Sequence, residues 1–289
     1  MGSLHELVLG ADDAALADRA ARAAIDDVLR IEAKYSRYRP DSVTSAINRA
    51  AGVGAVPIDA ETAALLGYAD RCHALSGGRF DLTSGVLRRA WDFARTPPRV
   101  PTEAEIVAAR ARVGWKDVEW SERSVRLARI GMELDFGGIG KEYAADRAAT
   151  ICADHGVAHV LVNLGGDARA LGGHPDGAPW RVGIRHPRTP GATIGTVAVA
   201  DGAVATSGDY ERYFELDGRR YCHLLDARTG MPAGAWQSVT VLAPLAIVAG
   251  GYATIAMLLE DEATAFLEGQ RVPYLMVAAD GSRVAREVE

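Results

Sequence analysis

The apolar residues of this chain change their period partway along it. Between residues 12 and 33, Ala17, Ala21, Ala24, Val28 and Ile31 recur at spacings of three and four, with Asp and Arg between them. That pattern predicts an amphipathic helix. A second helix is predicted from Glu61 to Leu75, with Leu65, Ala69 and Cys72 on one face and Gly77-Gly78 as its stop. A proline-rich loop then leads to a short helix capped by Thr102, with Glu105 three residues on. Beyond it the period drops to that of strands. Ile130, Met132, Leu134 and Phe136 alternate, as do Trp180, Val182 and Ile184. "HVLVNL" reads as a short buried strand running into Gly165-Gly166, and "YLMVAA" with "RVAREVE" reads as a hairpin turning at Asp280-Gly281. Helices and strands are interspersed without regular βαβ alternation. The expected class is therefore α+β, with mixed or antiparallel sheets flanked by helices. No repeat or low-complexity linker cuts residues 1–289, so a single domain is expected.

Composition narrows the function. The net charge is −6 with acidic and basic residues mixed, which disfavours nucleic acid and anionic membrane as partners. The three cysteines are widely spaced and form no CxxC, so neither a zinc site nor a disulfide framework is indicated. No signal segment or lipobox opens the chain and no run of apolar residues is long enough to span a bilayer. The cytoplasm is the expected location as the sequence stands, and the periplasm if a leader was removed.

Six polar loops adjoin apolar segments, which suggests one polar cleft. "YSRYRPDS" sets Tyr38 beside a Pro-Asp-Ser turn, as an aromatic plate for a flat ligand or simply as a turn after a helix. "GGRFDLTSG" offers Asp81 and Thr83, with Trp91 downstream as a stacking face; a helix cap is the plainer role for Asp81. "LDFGGIGKEYAADRA" has glycines, then Lys141, then a helix, as a phosphate cradle would, although it matches neither GxGxxG nor the P-loop. "NLGGD" ends at Asp167. The last two loops surround Thr206-Ser207 and His223. Taken alone, His223 reads first as a core histidine satisfied by a carbonyl.

Taken together these segments resemble the ApbE-type flavin transferases, also called FAD:protein FMN transferases. The matching pieces include "SRYRPDSVTSAIN", "GRFDLTSGVLRRAWDF", "LDFGGIGKEYAADRA", "LVNLGGDARALG", "AVATSGDYERYF" and "CHLLDARTGMPA", in the family's order over most of the chain. The resemblance implies a T-fold-like α+β architecture, with two lobes around a central FAD cleft as one arrangement. It implies Mg²⁺-dependent transfer of FMN from FAD to a Ser or Thr hydroxyl of an acceptor protein, with release of AMP. By the same resemblance His223 is the catalytic base. Tyr38, Asp81, Trp91, Lys141, Asp167, Thr206, Ser207 and His223 bind FAD, and Asp226 orients His223 or shapes its turn.

The metal motif departs from the family pattern. The family reads Asp-Ala-x-x-Thr where this chain has Gly250-Gly251-Tyr252-Ala253-Thr254. The family's "GIAKGY" becomes "GIGKEY", with Gly140 for the alanine and Glu142 for the second glycine. The expected Mg²⁺ groups are the Gly140 carbonyl and the Thr254 hydroxyl, with Glu142 as candidate carboxylate. Gly250→Asp is expected to raise metal affinity. The missing carboxylate keeps two rivals in play: an FAD-binding protein without transfer, and an FAD pyrophosphatase that uses water.

Overall fold

A computed structural model describes residues 4–287. The elements are β1 (His5–Gly10), α1 (Ala14–Tyr35), α2 (Val43–Arg49), β2 (Val56–Pro57), α3 (Ala60–Leu75), α4 (Glu103–Arg110), β3 (Val118–Trp120), β4 (Ser124–Leu127), α5 (Gly140–Asp154), β5 (His159–Leu164), β6 (Asp167–Leu171), β7 (Trp180–Arg185), β8 (Thr193–Val199) and β9 (Gly202–Gly208). They continue with β10 (Tyr213–Leu216), β11 (Arg219–Cys222), β12 (Trp236–Ala243), α6 (Ala246–Leu259), α7 (Ala263–Gln270), β13 (Tyr274–Ala278) and β14 (Arg283–Arg286). The central sheet has seven strands in the order β1-β5-β6-β9-β12-β13-β14. Every neighbouring pair in it is antiparallel. The α+β expectation holds.

Local chemistry explains the helices. Asp13 caps α1 by accepting the Ala15 N–H, and Ala20, Ala24, Ile31 and Tyr35 form its buried face. Ala21 and Val28 lie at the edge of that face, half-buried. Asp59 caps α3 through the Thr62 N–H. The helix stops where the Gly78 N–H reaches the His73 carbonyl at 2.8 Å. Thr102 and Glu105 form the capping box of α4. Strands β13 and β14 make the expected hairpin; the last two residues of its second predicted strand lie outside the described residues.

Helices α5 and α6 cover one face of the central sheet, and α1 packs on α5. The β7–β8 hairpin covers part of the other face, where Trp180 and Val199 meet Ala170 and Val204. One buried cluster runs from Ala20 in α1 to Leu259 in α6. Among the described residues no helix is long and apolar enough to cross a membrane.

One predicted strand is absent. Met132, Leu134 and Phe136 are buried as the alternation requires, but Ile130 is exposed and the segment pairs with no strand. The side-chain amide of Asn48 in α2 takes a strand's place. Its Oδ1 accepts the Leu134 N–H at 2.7 Å and its Nδ2 donates to the Leu134 carbonyl at 3.0 Å. Alternating burial fixes which side chains point inward, and it leaves open what satisfies the backbone.

Asn48→Ala leaves both polar groups of the buried Leu134 backbone without that partner. The expected destabilisation is roughly 2–6 kcal/mol, from a penalty of about 1–3 kcal/mol for each of the two unsatisfied groups. A urea midpoint unchanged from the native protein would show that other groups satisfy this backbone.

Candidate active site

One end of the central sheet gathers polar groups on the face that α5 and α6 cover. The Gly165-Gly166 turn has φ of +63° and +101°, values that favour glycine. It is closed by the Gly166 N–H, which donates to Asn163 Oδ1 at 2.9 Å. The turn delivers Asp167 to the start of β6, where it forms an ion pair with Lys141 in the first turn of α5. The other oxygen of Asp167 accepts the Thr206 backbone N–H at 3.3 Å. Lys141 Nζ also stands 3.9 Å from Glu142 Oε1, so one ammonium lies between two carboxylates. Ser207 Oγ and Thr254 Oγ1, 2.7 Å apart, join β9 to α6. A Cβ added at Gly140 would meet only Phe136 Cβ, at 4.0 Å, so an alanine fits there as easily as the glycine.

Glu142 is 7% exposed, and its Oε2 has no hydrogen-bond partner among the described residues. Burial raises its carboxyl above the ordinary range, against the opposing pull of Lys141.

A second cluster forms around His223, which follows β11. Its backbone N–H donates to the Arg212 carbonyl at 3.0 Å, and its Nδ1 is buried without a partner among the described residues. Burial and the Arg212 charge lower its pKa to about 4. Tyr38 lies within reach of the same arginine. Its ring is 74% exposed, with the Arg37 guanidinium 4.8 Å from the ring centroid. Arg37 also donates to the Tyr38 hydroxyl at 2.7 Å. Burial would raise the phenol pKa, but Arg37 and Arg212 outweigh it and lower the value. Arg37 forms an ion pair with Asp135, whose Oδ1 caps the short 3-10 turn that leads into α5. The two clusters are thereby linked.

Two expected ligand contacts, Asp81 and Trp91, need revision. Asp81 is buried and its carboxylate is already occupied: Oδ1 accepts the Thr83 N–H and hydroxyl, both at 2.7 Å, and Oδ2 accepts the Trp115 N–H at 3.0 Å. It is the cap of a 3-10 helix over Leu82–Arg89. Trp91 is 1% exposed and presents no open face. It stacks near Tyr221, with centroids 5.7 Å apart, and its indole N–H donates to the Gly230 carbonyl at 2.7 Å. Trp91 therefore pins the loop that carries His223. Thr206 and Ser207 are neighbours on a strand and point to opposite faces. The Thr206 hydroxyl lies 2.8 Å from Thr240 Oγ1, on the face away from Thr254. There Thr206 lines a cavity of about 310 Å³ with Asn163, Gly166, Arg181 and Tyr210. Asp226 shapes its turn, accepting the Arg228 N–H at 2.7 Å, and no hydrogen bond joins it to His223 among the described residues.

Arg37, Arg212 and Asp146 were not singled out from the sequence. Asp146 lies one helical turn beyond Glu142 on α5, so helical spacing would have found it. The arginines carry no spacing signal.

The profile of the ApbE family matches residues 1–276. The chain belongs to the ApbE family. The FAD:protein FMN transferase of Vibrio cholerae is 32% identical over 259 residues, covering 88% of this chain and 78% of that protein. The crystal structure of the ApbE protein from Thermotoga maritima matches with a TM-score of 0.91 at 33% identity, over 99% of this chain and 94% of that one. The apo form of the flavinyl transferase ApbE from Pseudomonas stutzeri matches with a TM-score of 0.85 at 30% identity, over 99% and 92% of the two chains. The fold described above is thus the ApbE fold, and the polar end of its sheet lies within the span these structures share.

The low pKa of His223 has a consequence for stability. An unfolded histidine takes its proton near pH 6.5, whereas folded His223 takes it near 4. Between those values the unfolded state binds more protons, so stability is lost as pH falls. His223→Gln removes this penalty. The variant's urea midpoint is expected to fall less than the native one between about pH 7 and about pH 5. Equal falls in both proteins would contradict the burial argument.

Proposed function

We propose that this chain transfers the FMN half of FAD to a Ser or Thr hydroxyl of an acceptor protein. The observation that carries this reading is His223: an imidazole whose Nδ1 has no partner among the described residues, held by Arg212, whose charge also reaches Tyr38. The names of the relatives supply the substrates.

The acceptor oxygen attacks the FMN phosphorus. The bond from that phosphorus to the bridging oxygen breaks, and AMP leaves with that oxygen. The hydroxyl proton passes to His223, and such a base typically contributes roughly 10²–10⁴-fold. The low pKa keeps the His223 ring unprotonated over the neutral range. Arg212 and Lys141 would supply the positive charge that neutralises phosphate, and most of the catalysis is then positioning and electrostatics. Tyr38 offers an exposed ring to a flat ligand group.

The groups that would hold Mg²⁺ are the Gly140 carbonyl, the Thr254 hydroxyl and the Glu142 carboxylate. This is an oxygen set with one carboxylate, which suits an ion that keeps several waters and binds substrate phosphates. The unpartnered Glu142 Oε2 supports the fit. When bound, the ion offsets charge on the pyrophosphate oxygens.

The test is incubation with FAD, Mg²⁺ and an acceptor protein of a relative. AMP in solution and flavin fluorescence on the denatured acceptor band are expected in equal amounts. FMN released free, with none on the acceptor, would overturn the reading in favour of hydrolysis. His223→Ala is expected to lower AMP release by roughly 10²–10⁴-fold while FAD affinity stays within a few-fold.

A further inference from the structure

In α6 two glycines stand side by side, and both of their missing side chains are replaced by atoms from other helices. A Cβ at Gly250 would meet Glu142 Cγ at 2.6 Å and Oε1 at 3.1 Å. A Cβ at Gly251 would meet the Tyr68 hydroxyl at 2.1 Å. That hydroxyl is fixed by donating to the Ile247 carbonyl at 2.6 Å. Gly250-Gly251 is therefore a notch, with Glu142 of α5 on one side and Tyr68 of α3 on the other.

We propose that Glu142 and Gly250 form a reciprocal pair that delivers the cation-binding carboxylate from α5 instead of α6. This rests on the reading of the site as a metal-dependent transferase centre. Three observations carry it. The Glu142 stem occupies the volume that a residue-250 side chain would need. Its Oε2 is buried and has no partner, so one lone-pair-bearing oxygen is held ready at the α5–α6 junction. The Thr254 hydroxyl lies about one helical turn beyond Gly250 on α6, facing the same sheet end. Lys141, between Glu142 Oε1 and Asp167, balances charge at the site without engaging Oε2.

The pairing reverses the expectation for Gly250→Asp. The new Cβ collides with the Glu142 stem, and the two carboxylates then compete for one volume. The single substitution is expected to lower the melting temperature and to give no gain in metal affinity.

The test is binding of Mn²⁺ alone, followed by electron paramagnetic resonance, with melting temperature measured in parallel. Glu142→Gln keeps the shape and is expected to weaken Mn²⁺ binding by at least about tenfold, since even outer-shell losses cost 10–100-fold. The double variant Glu142→Gly with Gly250→Asp moves the carboxylate back to α6. It is expected to recover Mn²⁺ affinity to within a few-fold of native and to melt above Gly250→Asp alone. Native affinity in Glu142→Gln would overturn the assignment of the ligand. Tighter binding with undiminished melting temperature in Gly250→Asp alone would overturn the reciprocity. Neither readout uses turnover, so failure of the transferase assay with native protein is a separate result.

Discussion

The architecture of the site depends on how α6 is held. This helix is buried on nearly every side, from Ala246 through Leu259, so no polar face fixes its rotation. It also lacks a capping side chain of its own, because its N-cap residue is Leu245. Asp146 of α5 supplies the cap: its two oxygens accept the N–H groups of Ala246 at 2.7 Å and Ile247 at 2.9 Å. A carboxylate at a helix N-terminus also meets the positive end of the helix dipole. Asp146 is in turn 3.3 Å from Arg169 Nε in β6, and Arg169 donates to the Gly202 carbonyl of β9 at 2.9 Å. One polar chain thus ties α6 to α5 and to two strands of the sheet. Its directional bonds set the rotation that apolar packing leaves undetermined.

That rotation places everything else. With the start of α6 fixed by α5, Gly250 faces Glu142 and Thr254 faces Ser207. The sheet then presents Asp167 to Lys141 from the same side. The His223 region is built differently, from loops. Trp91 holds the Gly230 turn from beneath, and Arg212 holds the His223 backbone from the β10–β11 hairpin. The groups proposed to hold metal and phosphate thus sit on helices and strands, and the proposed base sits on a loop.

Much of this was legible because local signals have local causes. The cap at Thr102 and the stop at Gly78 involve residues a few positions apart, and they form as the sequence implies. Motif positions pointed to Lys141 and Asp167, which the structure pairs, and to His223, whose Nδ1 it leaves without a partner among the described residues. What failed were inferences about side-chain availability. Asp81 and Trp91 lie in matching motifs, yet their polar atoms are occupied by Thr83, Trp115 and Gly230. Thr206 and Ser207 read as one pair in sequence, and the pleat of β9 separates their hydroxyls. The alternation was real as burial from Met132 to Phe136 and misleading as strand, because Asn48, far away in sequence, supplies the hydrogen bonds.

The Gly250 position shows the same limit at its sharpest. Against the motifs that the resemblance implies, the chain has a carboxylate at 142 and lacks one at 250, two departures far apart in sequence. In space the two positions meet, because the atoms of Glu142 occupy the volume that a side chain at 250 would fill. A metal-binding oxygen is defined by where it lies relative to the other ligands, and the helix that carries it is secondary. A glycine in a motif's acidic position is therefore evidence of a lost site only when nothing else has moved into its volume. Here the volume is filled by a carboxylate, one of whose oxygens is buried and unpartnered, and burying such a group without compensation is unfavourable unless a cation or a proton completes it.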